Sequence, residues 1–85
     1  MNRSKLITIE DKRPTLEKVQ GLVGGLVELI ELSNGDQMLI NENGIMLELP
    51  YNNEATYIAS KTSAAFIINS IRGHAVILKG KAKWD

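Results

Sequence analysis

Eighty-five residues make one domain, of a size that buries only about 60% of its unfolded surface, and 44% apolar content with no Ser-, Pro- or Gln-rich tract is too high for a disordered chain. The absence of cysteine removes disulfides, thiolate metal sites and cysteine nucleophiles. Formal charge is zero but segregated: no Lys or Arg stands between Lys18 and Lys61, where Glu28, Glu31, Asp36, Glu42, Glu48 and Glu54 lie, and the ten basic residues occupy the flanking segments.

In chain order, KLITIE is β-branched with Ile7 and Ile9 on one face and predicts a first strand. RPTLEKVQGLVGG then places Leu16, Val19, Leu22 and Val23 on one helical stripe, with Thr15 as N-cap, Glu17 in the first turn and Gly24 and Gly25 as the stop. LVELIEL and QMLIN flank SNGD, which reads as a hairpin with a type I′ turn because Asn-Gly tolerates positive φ. NENG turns the chain again into IMLELP, read as a further strand that Pro50 ends. Asn52 or Asn53 can cap a short second helix with Ala55, Ile58 and Ala59 inward. AAFIINSI fits either a helix end or a strand, HAVILK is a closing strand, and GKAKWD, residues 80–85, reads as a flexible tail. The expected fold is α+β: a small, mostly antiparallel sheet in the order β-α-β-β-(β)-α-β, packed against two short helices.

The residues that carry chemistry are few. An EF-hand register fails, because placing Gly44 sixth puts Leu39 first and Pro50 twelfth. With one histidine and no cysteine a transition-metal site has too few ligands, and no metal or other cofactor is expected. His74 is the one candidate general base near neutral pH, but it heads an apolar strand, no serine lies in a nucleophile elbow, and a histidine satisfied by backbone or water is the simpler reading. Glu28 and Glu31 fall on opposite faces of a strand and cannot share a proton there. GLVGG follows a helix instead of opening one, so it is a helix stop and no phosphate loop. No catalytic residue is assigned, and the chain is not expected to be an enzyme.

Nucleic acid is a poor partner for this chain, since phosphate contacts want a basic stripe and single strands want stacking aromatics, of which there are only Tyr51, Tyr57, Phe66 and Trp84. No signal-peptide stretch and no apolar run of membrane-spanning length occurs, which predicts a cytoplasmic protein without membrane contact.

Residues Val23, Gly24, Gly25, Glu28, the hairpin Gly35 and Asp36, Asn41, Glu42, Gly44, Leu49, Pro50, Asn52, Ala55 and the stretch 71–78 form a combined pattern over residues 14–79. It resembles a family of small domains of unknown function encoded by bacteriophages and other mobile elements, with VGG and a following Glu, a GD hairpin, NE.G, LP.N..A and a terminal I.G.A..L strand. The chain departs from that pattern at SKTSAAFIINS, which is longer than the usual link. The resemblance implies a phage-type accessory product in the host cytoplasm and supplies no activity.

Two functions are carried forward. One is a non-enzymatic binding module, a homo-oligomer built by pairing strand edges, that modulates or inhibits a host protein through an acidic surface of Glu28, Glu31 and Glu42. The other is an oligomeric protein sequestering a nucleotide signal or metabolite, an anti-defence role, at Tyr51, Asn52 and Asn53, where a helix N-terminus, a ring and amides converge.

Overall fold

The computed structural model describes residues 4–61 and 70–85. Four strands, β1 (Leu6–Ile9), β2 (Val27–Glu31), β3 (Gln37–Asn41) and β4 (Ala75–Leu78), form one sheet in the order β1-β4-β3-β2. β4 pairs parallel with β1 and antiparallel with β3, and β3 pairs antiparallel with β2. Two helices, α1 (Leu16–Val23) and α2 (Asn53–Ala59), complete the expected α+β fold.

Each helix covers one face of the sheet. Val19 and Val23 of α1 pack with Leu39, Val76, Leu78 and Ala82, joined at the margin by Ile7, Ile9, Leu22 and Val27. Ala55 and Ala59 of α2 pack on the other face with Ile30, Met38, Ala75 and Ile77, joined by Leu6, Ile40 and Ile58. Central strand β4 is buried on both faces along its whole length, which is why AVIL is a continuous apolar run where the edge strands carry polar residues.

The local signals act where they were read. The Thr15 hydroxyl accepts from the Lys18 N–H at 3.1 Å, and Gly24 closes α1 at φ 85° with its N–H on the Gln20 carbonyl. Leu16 alone leaves the predicted stripe, being 51% exposed at the first turn.

Three expectations are corrected. First, the hairpin turn is not type I′: Gly35 has φ 94° while Asn34 keeps negative φ, the Gly35 N–H bonds the Leu32 carbonyl and the Leu32 N–H bonds the Asp36 carbonyl. This is a turn followed by a glycine bulge, and the Asn34 side chain accepts from the Asp36 N–H to hold it. Second, IMLELP makes no strand. Residues 42–48 coil tightly, with the Leu47 N–H on the Asn43 carbonyl, the Leu49 N–H on the Gly44 carbonyl and Glu48 at φ 53°. Apolar alternation at Ile45, Leu47 and Leu49 imitates a strand, but Gly44 closes on the Arg72 carbonyl and the chain coils on itself instead of extending along a sheet edge. Third, residues 80–85 are docked and do not form a free tail. Gly80–Ala82 is a 3-10 turn with Ala82 fully buried. The Trp84 indole N–H bonds the Pro14 carbonyl at 3.0 Å, and its backbone exchanges two bonds with the Gln37 amide. The reading of AAFIINSI lies almost wholly outside the described residues.

Candidate functional site

Because β1 and β4 run parallel and β3 runs against them, the molecule has two distinct ends. At one end meet the C-terminus of β3, the N-termini of β2 and β4, and residues 42–49; at the other meet the C-termini of β1 and β4, the β2-β3 hairpin and the start of α1.

Buried Asn41 organises the first end. Its Nδ2 donates to the Val23 carbonyl at the end of α1, and its Oδ1 accepts from the Asn43 N–H at 2.7 Å, turning the chain out of β3. Gly44 then lies against the backbone carbonyl of Arg72, closer than any Cβ could, and Gly73 at φ 94° leaves room for the Leu49 side chain. Between this coil, β2 and residues 70–72 lies a groove of about 390 Å³. Its apolar walls are Ile30, Ile40 and Ile71; Glu28 and Glu42 stand on its lip, and Arg72 reaches in while one guanidinium N–H donates to the Leu49 carbonyl. Above it the coil presents Ile45, Met46 and Leu47, exposed by 64%, 79% and 56%.

The predicted acidic set is therefore divided. Glu28 and Glu42 share the groove lip, whereas Glu31, three residues along β2, has the opposite strand parity from Glu28 and belongs with Leu29 on the α1 face. β2 is a sheet edge, and its Leu26 and Leu32 backbones bond Glu42 and Asp36, so by ladder alternation Val27 and Leu29 turn their amide groups away from β3.

The second predicted set is also divided. Asn52 is 2% exposed, caps α2 by accepting from the Ala55 N–H at 3.0 Å, and donates to the carbonyls of Lys5 and Gly73. Its amide is fully engaged by the fold. Tyr51 is 45% exposed and bridges to Arg72 through the backbone, and Asn53 is exposed in the first turn of α2. His74 accepts the Lys5 N–H at Nδ1, 2.9 Å away, the backbone-satisfied arrangement that its place before an apolar strand suggests.

The opposite end carries two ion pairs. Arg13 meets Asp85 at 3.2 Å, and Lys79 meets Asp36, whose hydrogen bond and charge raise the ammonium pKa above the usual lysine range. Between β1 and α1 an open cleft is lined by Ile9, Pro14 and the chains of Lys12 and Lys18, with Glu10 and Asp11 on its rim. Among the described residues, no three His, Asp or Glu side chains gather as for a metal ion, and no helix is long and apolar enough to cross a membrane.

Fold and surface together define a small α+β domain, one mixed sheet between two helices, with an apolar coil and acid-lipped groove at one end. The chain belongs to the domain of unknown function family DUF3846, whose model matches residues 1–85. No curated protein and no solved structure matches it. The missed feature was the coil at residues 45–47, whose three consecutive apolar residues after Asn43-Gly44 are the signal that could have marked an exposed tip.

Proposed function

We propose that this domain is a phage-type accessory protein of the host cytoplasm, a non-enzymatic module that docks on a protein and modulates or inhibits it through the groove end. The observation that carries the reading is the exposure of Ile45, Met46 and Leu47 beside Glu28 and Glu42, none of these carboxylates having a cation within ion-pair reach among the described residues. An apolar centre with a charged rim is the usual anatomy of a docking patch, and the acids select a partner with a lysine- or arginine-bearing rim. Affinity capture from host lysate with the wild type and with a Glu28→Lys/Glu42→Lys double variant tests it. Reversal is expected to weaken capture of the specific partner at least about tenfold, about 1.4 kcal/mol; equal capture by a folded variant rejects the assignment.

The sequestering reading keeps one observation in its favour, a groove whose volume falls in the range of small-ligand sites, with Arg72 as its cation. Native mass spectrometry of protein purified from host cells separates the two. A reproducible small-molecule increment that Arg72→Ala abolishes favours sequestering, and bare protein mass rejects it.

A further inference from the structure

Resting on the reading of the groove end as a protein-docking surface, we infer that Met46 is a modification site: a hydroperoxide oxidises its thioether to the sulfoxide, which releases the docked partner and leaves the fold in place.

Met38 and Met46, the two methionines among the described residues, stand in opposite situations. Met38 is 0% exposed and belongs to the core beneath α2, where its sulfur is shielded from a dissolved oxidant. Met46 is 79% exposed and belongs to neither core cluster. The coil that presents it is held from within: the Leu47 N–H bonds the Asn43 carbonyl, the Glu48 N–H the Ile45 carbonyl and the Leu49 N–H the Gly44 carbonyl. Sulfur oxidation follows access, so the fold itself selects Met46 over Met38. With hydrogen peroxide as oxidant, a sulfur lone pair attacks one peroxide oxygen and the O–O bond breaks. The transferred oxygen stays on sulfur as the sulfoxide, the other leaves with both protons as water, and the two electrons that sulfur loses reduce the peroxide.

The consequence follows from what surrounds the sulfur. As a thioether, Met46 is an adaptable apolar side chain between Ile45 and Leu47, which suits it to the centre of a docking patch. As a sulfoxide it carries a strong acceptor oxygen, and burying an acceptor without a donor is costly. The coil has little to give it: the amides of Leu47, Glu48 and Leu49 are already engaged within the coil, and Glu42 and Glu48 are acceptors themselves. Arg72 is the cation among the described residues lining the groove, and one of its N–H groups is on the Leu49 carbonyl. A sulfoxide that turned inward to Arg72 would leave the tip, and one that stayed outward would keep its water. Either way the partner loses its apolar anchor, while the core, which Met46 does not touch, keeps its packing.

The test treats the full chain with hydrogen peroxide, removes the peroxide by desalting and then offers the domain to host lysate, so that the partner meets no oxidant. Cleavage after Glu31, Glu42 and Glu48 puts Met38 and Met46 on separate peptides, whose oxygen uptake mass spectrometry reads. Met46 is expected to oxidise at least about tenfold faster than Met38 in the folded protein, with the difference lost in denaturant. Capture of the protein bound by the reduced domain should fall at least about tenfold, return after treatment with methionine sulfoxide reductases, and fall likewise in Met46→Gln, while the unfolding midpoint stays where it was. Met46→Leu is compared with itself before and after peroxide, and its capture should not change. Three results overturn the inference: Met38 oxidising as fast as Met46 in the folded chain, undiminished capture by domain fully oxidised at Met46, or a lowered unfolding midpoint from oxidation at Met46 alone. Undiminished capture rejects this inference and leaves the docking function standing, whereas a reduced wild type that captures nothing rejects both.

Discussion

Asn52 and Asn41 show how single side chains set the groove end. Asn52 joins α2 to the starts of β1 and β4 with one accepted and two donated bonds, all out of water. Asn52→Ala removes the cap and strands two carbonyls, for an expected loss of about 2–4 kcal/mol in denaturant unfolding. Asn52→Asp should be no milder, because it turns a donor into a carboxylate facing those carbonyls. Substitution at Asn52 therefore tests the fold; Asn53 and the exposed ring of Tyr51 are the positions that can test ligand binding there. The ion pair of Lys79 and Asp36 carries a pH dependence whose sign is fixed. The folded-state pKa of Lys79 is raised, by the Asp36 hydrogen bond first and its charge second, so its contribution is complete below the unfolded value of about 10.4 and is lost as pH rises through the folded value. Unfolding curves from about pH 9 to about pH 12 should show that loss in the wild type and a flatter profile in Asp36→Asn.

At the scale of elements, the caps, the first strand and the hairpin were legible because they are local: Thr15, Gly24 and Asn52 satisfy groups within a turn of themselves. What escaped was decided by contacts distant in sequence. IMLELP has strand periodicity, but Gly44 sits on the Arg72 carbonyl and the chain coils there. Gly44→Ala forces those backbones apart and is expected to cost about 1–3 kcal/mol, with amide shifts concentrated in residues 42–49 and 70–73 if the coil is the wall of the groove. Residues 80–85 looked like a tail by composition, yet Gln37 holds the Trp84 backbone at both its N–H and its carbonyl. Gln37→Ala removes both bonds. Because Trp84 is the single tryptophan, the expected result is a red-shifted emission together with a loss of about 1–2 kcal/mol; an unchanged spectrum would mean that the indole bond to Pro14 and the packing of Ala82 hold the segment without Gln37.

For the whole molecule, the parallel pairing of β1 with β4 across almost seventy residues had no local signal, although the unbroken apolar run of β4 hinted at a strand covered on both faces. That pairing is what separates the ends. Of the residues nominated from sequence, Glu28 and Glu42 are brought to one lip, while Glu31 has the opposite strand parity and Asn52 is taken up by the core. The groove end then combines exposed apolar side chains with carboxylates lacking a cation partner among the described residues, the feature on which the proposed docking function rests. The most direct test is photo-crosslinking from a benzoylphenylalanine placed at Met46 and, as an exposed control away from the groove, at Tyr57 of α2. The account predicts a polypeptide adduct from position 46, absent from position 57 and removed by Glu42→Lys. Equal crosslinking from both positions, or none from position 46, would contradict it.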